Sequence, residues 1–476
     1  MISRARTRRL QAEDHRYLWH PFTQQRDWEK APPLIIEQGE GVYLEDTRGR
    51  RYLDAVSSMW VNLHGHRKPA LDSALKAQLS QIAHSTMLGL SNVPAIELAK
   101  KLVQIASHGL TRVFYSDNGS TAVEVALKMA FQYWQLKGGA YQKKAKFLHL
   151  GQSYHGDTLG AVSVGGISLF HERYKPLLFS TFDVHPPSCY RCPLGLVFPK
   201  CRVSCADSVE EILKRHHEEI AAIIVEPMVL AAGGMLTMPP GYLRRVRRLA
   251  SRYGVLLIAD EVATGFGRTG RMFACEHEAV RPDLMAISKG LTGGYLPLAA
   301  TLTTERIYRQ FLGRYEEFKT FFHGHSYTGN PLACAVALAN LAVFERERTL
   351  EKLQPKIAAL RKMLRPLSEH AHVGDIRQLG FMVGIELVRD RVTKEPYSLE
   401  QRVGMCVADE ARRLGLILRP LGNIIVLMPP LSTSLSELGK MVRIITEAIR
   451  RVTDGRNHRP SPSRARVRVT SADTPS

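Results

Sequence analysis

Cysteine is scarce in this sequence, seven in 476 residues, too few for a disulfide framework to carry the fold. Long apolar runs are missing too. None approaches the ~18 residues that a helix needs to span a bilayer, which excludes a helical membrane protein. Acidic side chains are in deficit, 45 Asp and Glu against 65 Lys and Arg, for a formal net charge of +20. That excess does not make a nucleic-acid binder, because no aromatic-plus-basic stripe, zinc finger or helix-turn-helix pattern accompanies it. Part of it sits at the ends. Arg4, Arg6, Arg8 and Arg9 open the chain, and Arg456, Arg459, Arg464, Arg466 and Arg468 lie in a Ser-, Pro- and Thr-rich stretch. That stretch, from about Thr453 to Ser476, is expected to be a disordered tail. The rest is spread over helical stretches such as Arg244–Arg248, read as solvated faces whose field also suits anionic substrates. The first residues lack the apolar core of a secretory signal, and Glu13 and Asp14 follow the arginines at once. A cytoplasmic protein is expected.

Hydrophobic residues at 45% and charged residues at 23% are ordinary globular values. No repeat of 20–50 residues is found. Short apolar runs alternate with helical patterns through the middle of the chain, which indicates a mainly parallel sheet covered on both faces. The runs are Arg112–Tyr115, Lys146–Leu150, Ala221–Val225, Val255–Ala259 and Leu298–Leu302. A hairpin is expected where Gly41–Asp46 turns into Arg51–Asp54. Strands are expected within Val373–Val388 and Leu416–Met428, with helices over Leu399–Leu414 and Leu435–Val452. The division expected is a large α/β domain at 87–332, a small α+β domain built from 1–86 and 333–452, and the tail at 453–476.

Four of the cysteines cluster, Cys189, Cys192, Cys201 and Cys205, spaced C-x2-C-x8-C-x3-C. Thiolates at such separations can converge on one tetrahedral ion, or they can remain reduced in a surface loop. No histidine flanks the pairs, and in either case their role would be structural.

Ligands of open α/β sheets bind outside the carboxyl ends of the strands, so the residues after each run matter most. After Phe114-Tyr115-Ser116, the turn Asp117-Asn118-Gly119-Ser120-Thr121 opens a helix with Val123, Ala126, Leu127, Ala130, Phe131 and Trp134 on one face. Glu124 and Lys128 stand four apart on its polar side. Such a turn offers free N–H groups and a positive dipole end to a phosphate. The run Val255–Ala259 ends in Asp260, a carboxylate at the edge of a core that needs a partner: a protonated cofactor ring nitrogen, a helix end or an internal ion pair. Then comes Ala286-Ile287-Ser288-Lys289-Gly290. A partly desolvated lysine has a lowered pKa, and its neutral amine can form a Schiff base with an aldehyde. Phosphate cradle, strand-end aspartate and desolvated lysine together are what pyridoxal 5'-phosphate requires.

Residues Ile258 to Gly270, with Ser288-Lys289-Gly290, resemble the signature of the class III (fold type I) pyridoxal-phosphate aminotransferases, and the resemblance covers about residues 15–452. Within that family, Leu18–Thr23, Ser57–Trp60, His64–His66, Ala83–Ser85, Ser153–Thr158 and His323–Asn330 resemble the biotin-pathway branch, which aminates 8-amino-7-oxononanoate. The resemblance implies a seven-stranded, mainly parallel large-domain sheet and an obligate homodimer with active sites at the subunit interface. Lys289 would bind the cofactor and move the proton. Asp260 would keep the pyridine nitrogen protonated, and Gly119 and Ser120 would hold the phosphate, completed by His325 and Ser326 of the partner subunit. Tyr154 would stack on the ring, and Glu226 would lie near its hydroxyl. Phe22, Trp60, Tyr154, Arg268 and Gly324 would face the substrate, and Arg419 would pair with its carboxylate.

Three positions depart from the members of that branch that use S-adenosylmethionine as donor. Phe22 replaces a tyrosine, His323-Gly324-His325-Ser326-Tyr327 replaces a His-Gly-Pro-Thr-Phe pattern, and Val426 replaces a second tyrosine. In these the sequence is more similar to members that take the amino group from lysine. The expected reaction is therefore amination of 8-amino-7-oxononanoate with S-adenosylmethionine or lysine as donor. The alternative is another class III ω-aminotransferase, which pairs 4-aminobutyrate, a diamine or β-alanine with a keto acid.

Overall fold

The computed structural model describes residues 4–455. Its centre is a seven-stranded sheet in the order Leu110–Ser116, Ala299–Thr304, Leu284–Ile287, Leu256–Asp260, Ile220–Val225, Lys146–Leu150, Phe182–Val184. Six of these strands point the same way; Ala299–Thr304 runs antiparallel to both of its neighbours. The inner strands are apolar on both faces because both are covered: every residue of Ile220–Val225 and Leu256–Asp260 is buried. All five expected runs are strands here. Two were not legible as such. Phe182–Val184 is only three residues long, at an edge, and Leu284–Ile287 is a four-residue run of helix-compatible Leu, Met and Ala.

The helix after the first strand, Gly119–Lys137, starts with a capping box: Asn118 Oδ1 accepts from the Thr121 N–H, and Thr121 Oγ1 accepts from the Asn118 N–H, each at 3.1 Å. Its apolar face differs from the expected stripe. Phe131 is exposed, whereas Val125 and Met129 are buried, because the helix is embedded on more than one side. The expected Glu124–Lys128 pair does not form either. Glu124 Oε1 accepts from the N–H groups of Gly160 (2.7 Å) and Ala161 (3.2 Å), while Lys128 reaches the Phe322 carbonyl (3.3 Å) and His323 Nδ1 (3.0 Å). Tertiary partners outweigh a helix-surface pair worth only a few tenths of a kcal/mol.

Two smaller sheets flank this core. In one, Tyr43–Asp46 and Arg51–Asp54 form the expected antiparallel hairpin, Ile36–Glu40 adds an antiparallel strand that was not expected, and Leu416–Ile417 joins parallel to Arg51–Asp54, so the two ends of the chain share a sheet. In the other, the hairpin Val373–Leu379 and Met382–Asp390 pairs with Ile424–Leu427. Helices Val403–Arg413 and Leu435–Asp454 cover them. The second helix runs past Thr453, where the tail was expected to begin. Residues 456–476, with the tail arginines, lie outside the described residues. Among the described residues no helix is long and apolar enough to cross a membrane.

Candidate active site

The parallel strands bring their carboxyl ends to one edge, and there a cavity of about 680 Å3 opens. Trp60, Gly119, Ser120, Tyr154, Glu226, Asp260 and Lys289 all line it, although the sequence spreads them over 230 positions. Strand pairing explains why. Leu284–Ile287 lies beside Leu256–Asp260 with Ala286 opposite Asp260, so Lys289 emerges next to the aspartate.

Asp260 is buried. Its Oδ1 accepts from the Val262 N–H at 3.0 Å, and its Oδ2 stands 2.7 Å from Nδ1 of His155, a residue whose role the sequence had not disclosed. Nε2 of that ring is buried without a partner. Lys289 has a left-handed backbone (φ 43°), which aims its side chain into the cavity, and its Nζ lies 5.1 Å from the centre of the Trp60 ring. Burial pulls the Lys289 amine below its ordinary pKa, against the opposing charges of Asp260 and Glu226.

Glu226 is also buried, and burial pushes its carboxyl up to about 7. Its oxygens accept from the N–H groups of Tyr154 and Ala231, each at 2.9 Å, so it fixes the backbone that carries Tyr154. The Tyr154 hydroxyl donates to Asp157 Oδ2 at 2.7 Å. Beside this segment, the Gly119–Ser120 turn packs without spare room. Ser120 Oγ accepts from the Asp157 N–H at 3.0 Å, and a Cβ on Gly156 (φ 123°) would fall 2.0 Å from that oxygen.

Other expected site residues stand elsewhere. Arg268 is 1% exposed and does not line the cavity. Its guanidinium donates to Ser57 Oγ (3.2 Å) and to the carbonyls of Pro429 (2.7 Å) and Asn62 (2.8 Å), and burial lowers its pKa to about 9. In this position it braces the Ser57–Trp60 turn. That turn has four consecutive left-handed residues, φ 49°, 45°, 72° and 70°. Asp54 holds it further, accepting from the Ser58 N–H (2.9 Å) and hydroxyl (2.7 Å).

Phe22 is exposed, with its ring 5.4 Å from Phe170, which in turn lies 6.0 Å from Tyr154. Arg419 is exposed and donates to the Phe22 carbonyl at 3.4 Å. Both lie outside the cavity lining. Gly324 and Ser326 are exposed, and His325 Nδ1 stands 3.1 Å from Asp117 of its own chain. Val426 is fully buried in the strand Ile424–Leu427.

The lining fits pyridoxal 5'-phosphate on its own evidence. It supplies a desolvated amine, a buried carboxylate beside it, and a helix N-terminus at Gly119 and Gly156, where an added Cβ would press on Val262 and Ser120.

Residues 24–449 match the class III aminotransferase family, and the chain belongs to that family. A protein of Nitratidesulfovibrio vulgaris, adenosylmethionine-8-amino-7-oxononanoate aminotransferase, is 55% identical over 94% of this chain and 83% of its own length. The crystal structure of the protein of that name from Methanocaldococcus jannaschii superposes with a TM-score of 0.88 at 47% identity, covering 93% of this chain and 99% of that one. A thermostable ω-transaminase mutant from Pseudomonas jessenii superposes with a TM-score of 0.90 at 32% identity, over 94% and 99% of the two chains.

Proposed function

We propose that this chain is the pyridoxal-phosphate-dependent aminotransferase that converts 8-amino-7-oxononanoate to 7,8-diaminononanoate in biotin biosynthesis. The single observation that carries the reading is Lys289 beside Asp260 in a cavity lined as above, in a chain 55% identical to a relative of that name. The ω-transaminase reading has an equally good superposition, but fold similarity does not fix substrate, and identity falls from 47% to 32% between the two structures.

Bound pyridoxal 5'-phosphate supplies an aldehyde for amine exchange and a ring that takes up electrons when a C–H proton leaves. Gly119 and Ser120 hold its phosphate, and Asp260 keeps a proton on the ring nitrogen. His155 fixes the orientation of that carboxylate. Lys289 Nζ, desolvated and therefore available as a base, removes the proton from the donor carbon and returns one to the carbon of the acceptor. Trp60 and Tyr154 give apolar walls for the acceptor chain and exclude water. Arg419, hydrogen-bonded to the Phe22 carbonyl outside the lining, would meet its carboxylate.

The donor is S-adenosylmethionine or L-lysine. The relatives' names favour the first; Phe22, the His323–Tyr327 segment and Val426 resemble the second.

A homodimer is supported by exposed apolar side chains on two adjoining segments: Leu88, Leu90 and Val93 on one, Phe322 and Tyr327 on the other. Asn92 Nδ2 donates to the Gly329 carbonyl at 2.9 Å and joins them. In the dimer this face carries His325 and Ser326 to the partner's phosphate, with Gly324 toward the substrate. A cytoplasmic location is supported by the low cysteine content, seven in 476 residues, too few for a disulfide framework.

The test mixes cofactor-loaded protein with S-adenosylmethionine, L-lysine or 4-aminobutyrate as donor and with 8-amino-7-oxononanoate, pyruvate or 2-oxoglutarate as acceptor, and follows the cofactor absorbance and the products by mass spectrometry. The expected result is diaminononanoate with one of the first two donors and, in Lys289→Ala, a loss of turnover of ~10^3-fold or more with the fold retained. Amination of pyruvate or 2-oxoglutarate without conversion of the oxononanoate would overturn the reading in favour of an ω-aminotransferase.

A further inference from the structure

Two imidazoles bridge the middle of the Gly119–Lys137 helix to the phosphate turn at its start. Lys128 Nζ stands 3.0 Å from His323 Nδ1 and donates to the Phe322 carbonyl at 3.3 Å. His323 Nε2 stands 3.2 Å from His325 Nε2, and His325 Nδ1 stands 3.1 Å from Asp117 Oδ2. Asp117 lines the active-site cavity together with Asn118, Gly119 and Ser120. The Phe321 ring stacks on His323 with centroids 5.7 Å apart, and the His325 N–H donates to Thr328 Oγ1 at 3.0 Å, so both rings are held in place.

These four side chains can be joined in only one direction. An ammonium only donates and a carboxylate only accepts. His323 Nδ1 therefore accepts from Lys128, which leaves the proton of a neutral ring on Nε2. That N–H points at His325 Nε2, which must accept, so the proton of His325 is on Nδ1 and is given to Asp117. A further proton on either ring would face another N–H. Burial lowers His323, with Lys128 and His325 adding to it and Glu124 opposing, in keeping with a neutral ring. We propose that Lys128, His323 and His325 are positioning residues for the cofactor phosphate, a one-way hydrogen-bond chain that ends on Asp117 and holds that carboxylate in place beside the phosphate turn.

The role given to the chain rests on the pyridoxal 5'-phosphate reading above. A carboxylate at the lining that is free to turn would repel a phosphate dianion. Here its oxygen is engaged by His325, and the ammonium at the far end makes the chain neutral as a whole. The helix rises about 13 Å between Gly119 and Lys128, so the lysine acts on the phosphate turn only through the two imidazoles. With both ring nitrogens engaged, His325 also braces the segment from which Ser326 reaches the partner's phosphate. In the His-Gly-Pro-Thr-Phe pattern the position of His325 is a proline, whose ring has no proton to pass on, so the chain belongs to the departing segment of this sequence.

The experiment dilutes cofactor-loaded protein and follows the loss of pyridoxal 5'-phosphate by absorbance in wild type, Lys128→Met, Asp117→Ala and the double variant. Each single variant is expected to release the cofactor about 3–10-fold faster, the effect of roughly one hydrogen bond, and the double variant to be no faster than the faster single one. Effects that multiply in the double variant, or unchanged release in Lys128→Met, would overturn the chain. Long-range proton–nitrogen spectra of protein carrying nitrogen-15 histidine, assigned with His323→Gln and His325→Gln, are expected to place the His323 proton on Nε2 and the His325 proton on Nδ1 at neutral pH. The other tautomer at either ring, or a doubly protonated ring, would overturn the chain even if Lys128→Met or Asp117→Ala fails to fold. Wild type that takes up no pyridoxal 5'-phosphate would overturn the cofactor reading instead, and the tautomers would still decide the chain.

Discussion

Gly119 and Val262 face each other across the floor of the cavity so closely that a Cβ at 119 would lie 2.6 Å from Val262 Cγ1. A valine side chain has little rotamer freedom with which to retreat. Gly119→Ala must therefore push apart the phosphate turn and the loop after Asp260. Overpacking of this kind costs about 1–3 kcal/mol, so affinity for pyridoxal 5'-phosphate should fall by ~10–100-fold. Adding Val262→Ala should recover part of the loss. Cofactor titration of the single and double variants checks this; equal affinities in all would refute the contact.

Arg268 is buried among oxygen acceptors from residues 57, 62 and 429, with its Nε unpartnered. Left-handed residues without glycine are costly, and the Ser57–Trp60 turn has four in a row. Arg268→Ala should release that turn and strand its carbonyl acceptors, at a cost of about 2–4 kcal/mol in urea unfolding. Trp60 fluorescence should shift in the folded variant. A variant of unchanged stability would show that the turn holds itself.

Two buried histidines and two buried glutamates oppose each other in acid. Burial lowers His64 and His149 to about 4 and raises Glu226 and Glu261 to about 7. For the histidines the unfolded chain binds the extra proton, so their stabilisation is present above about 6.5 and is lost as pH falls toward 4. The glutamates work the other way: their contribution is complete below about 4.5 and is lost as pH rises toward 7. Comparing wild type with His149→Gln isolates one histidine. Between pH 7 and 5 the variant should lose less stability than wild type, by about 1–3 kcal/mol. Parallel curves would refute the assignment.

The cofactor end of the site was legible because it is local. A strand that ends in Asp260, a lysine after an apolar run and a Gly-Ser turn opening a helix each announce themselves within a few residues. His155 carried no such sign; only the crossing of Lys146–Leu150 beside Ile220–Val225 brings it near Asp260. The bracing contacts of Arg268 were hidden for the same reason, because the direction of its guanidinium is set by carbonyls at residues 62 and 429. Charge pairs read from helix spacing, such as Glu124 with Lys128, give way wherever another element offers a buried partner.

The ribbon that leads into Trp60 is closed by Leu416–Ile417, and Ser57 Oγ donates to the Met428 carbonyl at 2.7 Å. During synthesis on the ribosome, residues 36–60 thus emerge some 360 positions before the contacts that set them. The central sheet is built from residues 110–304, whereas the turn that presents Trp60 to Lys289 cannot settle until residues 416–428 are made. Long-range closures of this kind are slow, and until this one forms the nascent protein exposes the edge of Arg51–Asp54 to other chains. The turn beside Lys289 is therefore set late in synthesis, and chains released before Leu416 would lack the strand that covers that edge.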